Sequence, residues 1–207
     1  DWLRDIAEGA ALMTQTTVDE RLLTGCYDYR ANETVTDVIW ENMQTVEPVT
    51  YDDEDVGFAR DLQETIPEER REAELAHIPE DIRTKIEDRA LYSDPVAAFD
   101  ENLRTPASTD VGDVSWITPT GQFRGATWPV GTPGHSWQIV AANGSFGQKS
   151  IAYAAKVLAG SVYDLMKDPE RLETAQEEFE TMLGERSYES PLPDDAEPPS
   201  EMPTMTD

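Results

Sequence analysis

The sequence predicts an α/β fold, and three observations point there. Helical spacing of apolar residues over 3–14 gives way to apolar–polar alternation over 16–29. Residues 108–137 set Val114, Trp116, Phe123, Ala126, Trp128 and Val130 among Gly, Thr and Pro, the texture of short strands and turns. A long apolar period over 150–166, rich in alanine and containing Gly160, describes a helix able to lie close against a sheet.

The elements follow in order. Leu3, Ile6, Ala7, Ala10 and Ala11 mark a first helix, and Val18, Leu22, Cys26 and Tyr27 alternate with polar neighbours as a strand would. Asn32 has the character of an N-cap, and behind it Val35, Val38, Ile39, Asn42 and Met43 form one helical face. A second face, Val56, Ala59, Leu62 and Ile66, predicts a helix over 52–65, with Asp52, Asp53 and Glu54 suited to its N-terminal dipole. Residues 67–107 are dense in charge and thin in apolar anchors, so one or two short surface helices broken at Pro79 are expected, with His77 facing solvent or packing. Helices over 150–166 and 169–183 close the fold, the second with Pro169 near its start. Residues 187–207 hold five prolines, six acids and no Lys or Arg, as a disordered tail or an extended strap would.

Composition excludes several functions. The chain has 207 residues, 16 basic and 43 acidic, for a net charge of -27; only four of the basic residues are Lys. Such a charge opposes compaction through self-repulsion. At about 1 M salt the screening length falls to roughly 3 Å and that repulsion fades, so a halophilic protein from a salt-rich cytoplasm is expected. There is no basic stripe to neutralise phosphates, which argues against nucleic acid. Anionic membranes would repel the chain, and no apolar run approaches the ~20 residues of a membrane span. Cys26 is alone, so no internal disulfide forms, and it reads as a packed small residue rather than a nucleophile. The chain starts at Asp1 without Met and runs straight into a helical pattern, the expected appearance of a piece cut from a longer protein.

The chemistry-bearing block is STDVGDVSW (108–116) followed by VGTPGHSW (130–137). His135, flanked by Gly131, Pro133 and Gly134, sits in a turn able to hold an imidazole in one orientation. Asp110 and Asp113 are close enough in sequence to share a cleft with it. Imidazole and carboxylate are the donors of hydrolytic zinc or manganese centres. Metal-assisted hydrolysis also needs an open coordination position and a carboxylate to take the proton of water. No H-x-D or H-x-x-E-H element and no D-x-D-x-D-G calcium loop is present. The structural alternatives are a turn histidine packed beside Trp137 and an aspartate capping a turn. Arg124 is either a bidentate clamp for a substrate carboxylate or a surface arginine.

Those two blocks, together with KSIAYAAKVLA (149–159), closely resemble the aminobenzoyl-glutamate hydrolase-like amidohydrolases of the aminoacylase, carboxypeptidase G and dipeptidase superfamily of metallopeptidases. The opening IAEGAALMTQTTVDERL and the Asn-x-Thr of Asn32–Thr34 look similar too; SPLP near Ser190 is compatible, and 67–107 matches poorly. The resemblance implies a two-metal, aminopeptidase-like α/β catalytic domain with a ferredoxin-like lid inserted in it. Residues 1–29 would be the last helix and strand of that lid, 30–186 the C-terminal part of the catalytic domain, and 187–207 an acidic tail. It implies that His135 is the final metal-binding histidine, that Ser108, Thr109, Asp110 and Asp113 border substrate or orient metal ligands, and that Asn32 lies near the hinge. It places the remaining ligands and the catalytic Glu pair upstream of Asp1, leaving no catalytic residue here and an inactive piece. The implied activity is cleavage of the amide bond of an N-acyl or N-aroyl amino acid with two divalent ions (Zn or Mn), in a cytoplasmic homo- or hetero-oligomer formed through the lid. The competing reading is a non-catalytic acidic scaffold or subunit that keeps the fold without the chemistry.

Overall fold

Local periodicity becomes helix nearly everywhere it occurs. The computed structural model describes residues 2–20, 22–98 and 108–194; among them are nine helices and no strand. They are α1 Trp2–Thr14, α2 Glu33–Thr45, α3 Asp53–Glu64, α4 Glu68–Leu75, α5 Glu80–Ile86, α6 Val111–Val114, α7 Trp137–Ala142, α8 Ser145–Lys167 and α9 Pro169–Leu183. Pro79 caps α5, as the expected break requires, and Pro169 opens α9. The long helix begins five residues before the apolar period does.

The α/β expectation is therefore corrected, and with it the lid strand over 16–29 and the strands over 108–137. Alternation specifies extended backbone, but a strand exists only when a neighbour accepts its ladder of hydrogen bonds. The 22–30 segment forms no helix and has no such neighbour among the described residues. In 108–137 the backbone donors turn to local acceptors instead: Ser115 N–H to the Val111 carbonyl (3.0 Å), Trp116 N–H to Asp113 (3.1 Å) and Thr132 N–H to Pro129 (3.1 Å). Cys26 is exposed, not packed, although its neighbours Gly25 and Tyr27 lie against Pro191 and Trp116. His77 is solvent-exposed, as expected. Residues 99–107 and 195–207 lie outside the described residues, including most of the expected tail.

The core is made by helix on helix. α8 lies against α2 and α9, and α7 bridges α3 and α8. Small residues set the α2–α8 distance: a Cβ on Gly160 would meet the Asn42 side-chain oxygen at 2.1 Å. The close approach foreseen for Gly160 is real, but its partner is α2 rather than a sheet. Asn42 Nδ2 donates to Asp164 on α8 (2.8 Å), and the Tyr153 hydroxyl of α8 donates to the Met43 carbonyl (3.0 Å). Two apolar clusters follow, Ile39–Tyr153–Val157 between α2 and α8, and Ala59–Leu62–Ala90–Leu91–Ala142–Phe146 under α3 and α7. α3 is capped reciprocally by Asp52 and Asp55, and Lys149 of α8 closes on both carboxylates.

Candidate functional site

The STDVGDVSW block folds as a clasp around 27–30. α6 brings Gly112 so close to that segment that a Cβ there would lie 2.1 Å from the Tyr27 carbonyl oxygen. Asp113 Oδ2 accepts from Tyr27 N–H (3.4 Å), Ser115 Oγ accepts from Arg30 N–H (2.9 Å), and Trp116 Nε1 donates to the Asp28 carbonyl (2.9 Å). Trp116 is buried, and the Tyr27 ring lies 4.8 Å from it. The guanidinium carbons of Arg30 and Arg186 each stand 5.1 Å from its centre, at cation–π distance. Tyr188 packs on Tyr27 at 5.3 Å. Its phenol is raised above the ordinary value by desolvation and by the neighbouring Asp113 carboxylate. Asp113 Oδ1 is buried without a hydrogen-bond partner.

Around Asn32 every polar atom is engaged. Its side-chain oxygen accepts from Val35 N–H (3.0 Å), capping α2 as expected. Its Nδ2 donates to the Ala175 carbonyl of α9 (2.9 Å), and its backbone N–H donates to Thr120 (2.9 Å). Ser108, Thr109 and Asp110 are exposed. The Thr109 hydroxyl accepts from Val111 N–H (3.3 Å), and Asp110 heads α6 without a side-chain capping bond.

VGTPGHSW forms the second feature. The Thr132 hydroxyl donates back to Pro129 (2.7 Å) over the buried Pro129 ring. Two residues then take left-handed backbone, Gly131 (φ 77°) and His135 (φ 55°). Non-glycine residues avoid that region except where their surroundings impose it, and such residues gather at functional sites. His135 is exposed, and its imidazole has no partner among the described residues. The following residue, Ser136, has a buried hydroxyl with no hydrogen-bond partner. No hydrogen bond or ion pair among the described residues joins His135 to Asp110 or Asp113, nor do three His, Cys, Asp or Glu side chains there gather as a metal shell. One imidazole therefore fits as a single donor to an ion, not as a whole site.

An open groove of about 630 Å³ runs beside this bend, lined by Trp40, Tyr92, Phe123, Arg124, Trp128 and Gly131 among others. Arg124 is exposed there without an ion pair among the described residues. Sequence reasoning missed Tyr27, Arg30, Trp116, Arg186 and Tyr188 as one cluster. Their only sequence signal is aromatic and arginine content, and the contacts that unite them span up to some 160 positions.

Over 96% of its length the chain is 33% identical to a p-aminobenzoyl-glutamate hydrolase subunit of Escherichia coli (strain K12). It spans 43% of that relative's length, less than half. No family model matches the chain, and no solved structure does. No helix among the described residues is long and apolar enough to cross a membrane.

Proposed function

We propose that this chain, similar along nearly its whole length to a p-aminobenzoyl-glutamate hydrolase subunit, forms part of a metal-dependent amidohydrolase. The reaction is cleavage of the amide bond of an N-aroyl or N-acyl amino acid, of the kind the relative's name describes. The observation that carries the reading is His135. Its imidazole stands outside the fold on a residue held at φ 55°, with no partner among the described residues, so a ring nitrogen is open to an ion.

A divalent zinc or manganese pair, when bound, supplies polarisation of the amide carbonyl and a water acidic enough to attack it. The work of this chain's own residues is positional. The Gly131–Pro133–Gly134 bend fixes the direction of His135, whose imidazole gives one donor, with the remaining donors supplied by polypeptide other than the described residues. The clasp holds Asp113 with one oxygen bound to Tyr27 N–H and the other buried beside the Tyr188 phenol, so this carboxylate braces the 27–30 segment. Asn32 joins α2 to α9 and ties the head of α2 to Thr120.

In the whole protein, His135→Ala is expected to lower bound metal and turnover together, by the 10- to 100-fold or more that lost metal-site groups cost, with the helical circular dichroism unchanged. Metal content equal to that of the parent would remove His135 from the ligand set and favour an acidic scaffold without chemistry.

A further inference from the structure

His135 is exposed, yet the bend that carries it is fastened at both ends to one surface. At the near end Val130 N–H donates to the Ala90 carbonyl (2.9 Å). The Gln63 side-chain amide donates to the Val130 carbonyl (2.8 Å) and to the Arg89 carbonyl (3.2 Å), so one side chain staples the bend to the turn after α5. Next to it, Gly131 rests on the stem of Arg71: a Cβ there would lie 2.6 Å from Arg71 Cγ. Arg71 Nη2 in turn donates to the Glu87 carbonyl. At the far end Gln138 is buried, and its Nε2 donates to the Thr65 hydroxyl (3.0 Å), which donates to the Leu62 carbonyl (2.7 Å).

These partners belong to one layer of the fold. Gln63 and Thr65 stand at the end of α3, Arg71 is on α4, and 87–90 follow α5. Ala90 and Leu91 pack with Ala59 and Leu62, which gives the layer an apolar core of its own. Between the fastened ends Thr132 and Pro133 are buried, while Gly134 and His135 project. His135 keeps a backbone (φ 55°) that a histidine in a free loop avoids. Arg71 Nε is buried without a hydrogen-bond partner. Such a group is costly, and an apolar side chain would fill the space without it. What arginine adds is a hydrogen bond to Glu87 from a stem that lies beneath Gly131.

We propose that Gln63 and Arg71 are positioning residues, which fix the direction of the His135 imidazole by seating its bend on the α3–α5 layer. The proposal rests on the reading of His135 as a metal ligand. It gives a task to the charged stretch after α3, the part of the sequence that resembles the amidohydrolases least. A donor already held in place has less freedom to lose when the ion arrives, and contacts that orient a metal ligand cost about 10- to 100-fold in affinity when removed.

Three variants test it. Gln63→Met removes both amide bonds and keeps the bulk; Arg71→Met keeps the stem and loses the guanidinium; Gln63→Lys retains a donor for both carbonyls. In the full 207-residue chain in molar salt, relaxation of the Gly134 and His135 amide nitrogens is expected to give order parameters of about 0.85 in the parent and below about 0.6 in both methionine variants. Gln63→Lys should return to the parent value, and helix content should stay constant throughout. Parent-like order parameters in both methionine variants overturn the proposal. In the whole protein, zinc titrated against a chelating dye is expected to bind about 10- to 100-fold more weakly to the methionine variants and normally to Gln63→Lys. Saturating zinc should restore their turnover but not that of His135→Ala, a split that general loosening of the fold does not produce. Parent affinity in both methionine variants, beside a loss in His135→Ala, overturns the proposal and leaves His135 a ligand. Parent affinity in all three overturns both.

Discussion

At Gly112 a side chain has nowhere to go. The obstacle 2.1 Å from an added Cβ is the Tyr27 carbonyl, backbone that cannot turn aside. Gly112→Ala is therefore expected to lower unfolding free energy by about 1–3 kcal/mol, read from the urea midpoint. At Gly9, with nothing within 4 Å of an added Cβ, the same change should raise helix stability by about 0.5–1 kcal/mol; equal effects at the two sites would refute the clasp. Residues differ in how far sequence exposes their work. The cap at Asn32 was legible because its acceptor, Val35 N–H, is three residues away. Its second bond, to Ala175, was not, since 143 residues intervene. Asp113 is the same case: it reads as one acid in a cluster, and only folding brings Tyr27 and Tyr188 to it.

Among elements, the helices were legible because a 3.6-residue period is written locally. α9 was predicted to its residue bounds, and Pro79 divides α4 from α5 where expected. The strands failed because a strand is a relation between two segments, and alternation in one of them cannot report that its neighbour is missing. The junction of α3 and α8 rests on a triad that neither helix reveals alone. Burial pushes the Asp55 carboxyl up, but hydrogen bonds from Lys149 and from Asp52 N–H outweigh it and hold Asp55 below its ordinary 3.8; the same lysine contacts hold Lys149 above 10.5. A carboxylate depressed in the folded state stabilises it above the unfolded value and loses that contribution as pH falls through the folded one. This contribution to stability is thus complete above about pH 4 and disappears below it. Lys149→Met should melt at lower temperature than the parent at pH 7, with the gap narrowing toward pH 3. A gap that is constant across that range would show that Lys149 acts through packing alone.

For the molecule as a whole, charge and core pull against each other. A net charge of -27 on 207 residues leaves a set of helices with apolar faces still open, so the folded state is expected to depend on screening. Dialysis from molar salt to dilute buffer should reduce the helical circular dichroism signal, since the Debye length grows from roughly 3 Å to tens of ångströms; a flat signal would end the halophilic reading. Trp116 offers a way to watch the transition. Trp2, Trp128 and Trp137 are 84%, 44% and 59% exposed, against 7% for Trp116. Acrylamide will extinguish the fluorescence of the outer indoles first. In a Trp40→Phe background, which removes the half-buried indole of α2, the emission that survives comes from the Trp116 ring beside two guanidinium groups, and its disappearance marks the moment at which 27–30, 112–116 and 186–188 let go of one another.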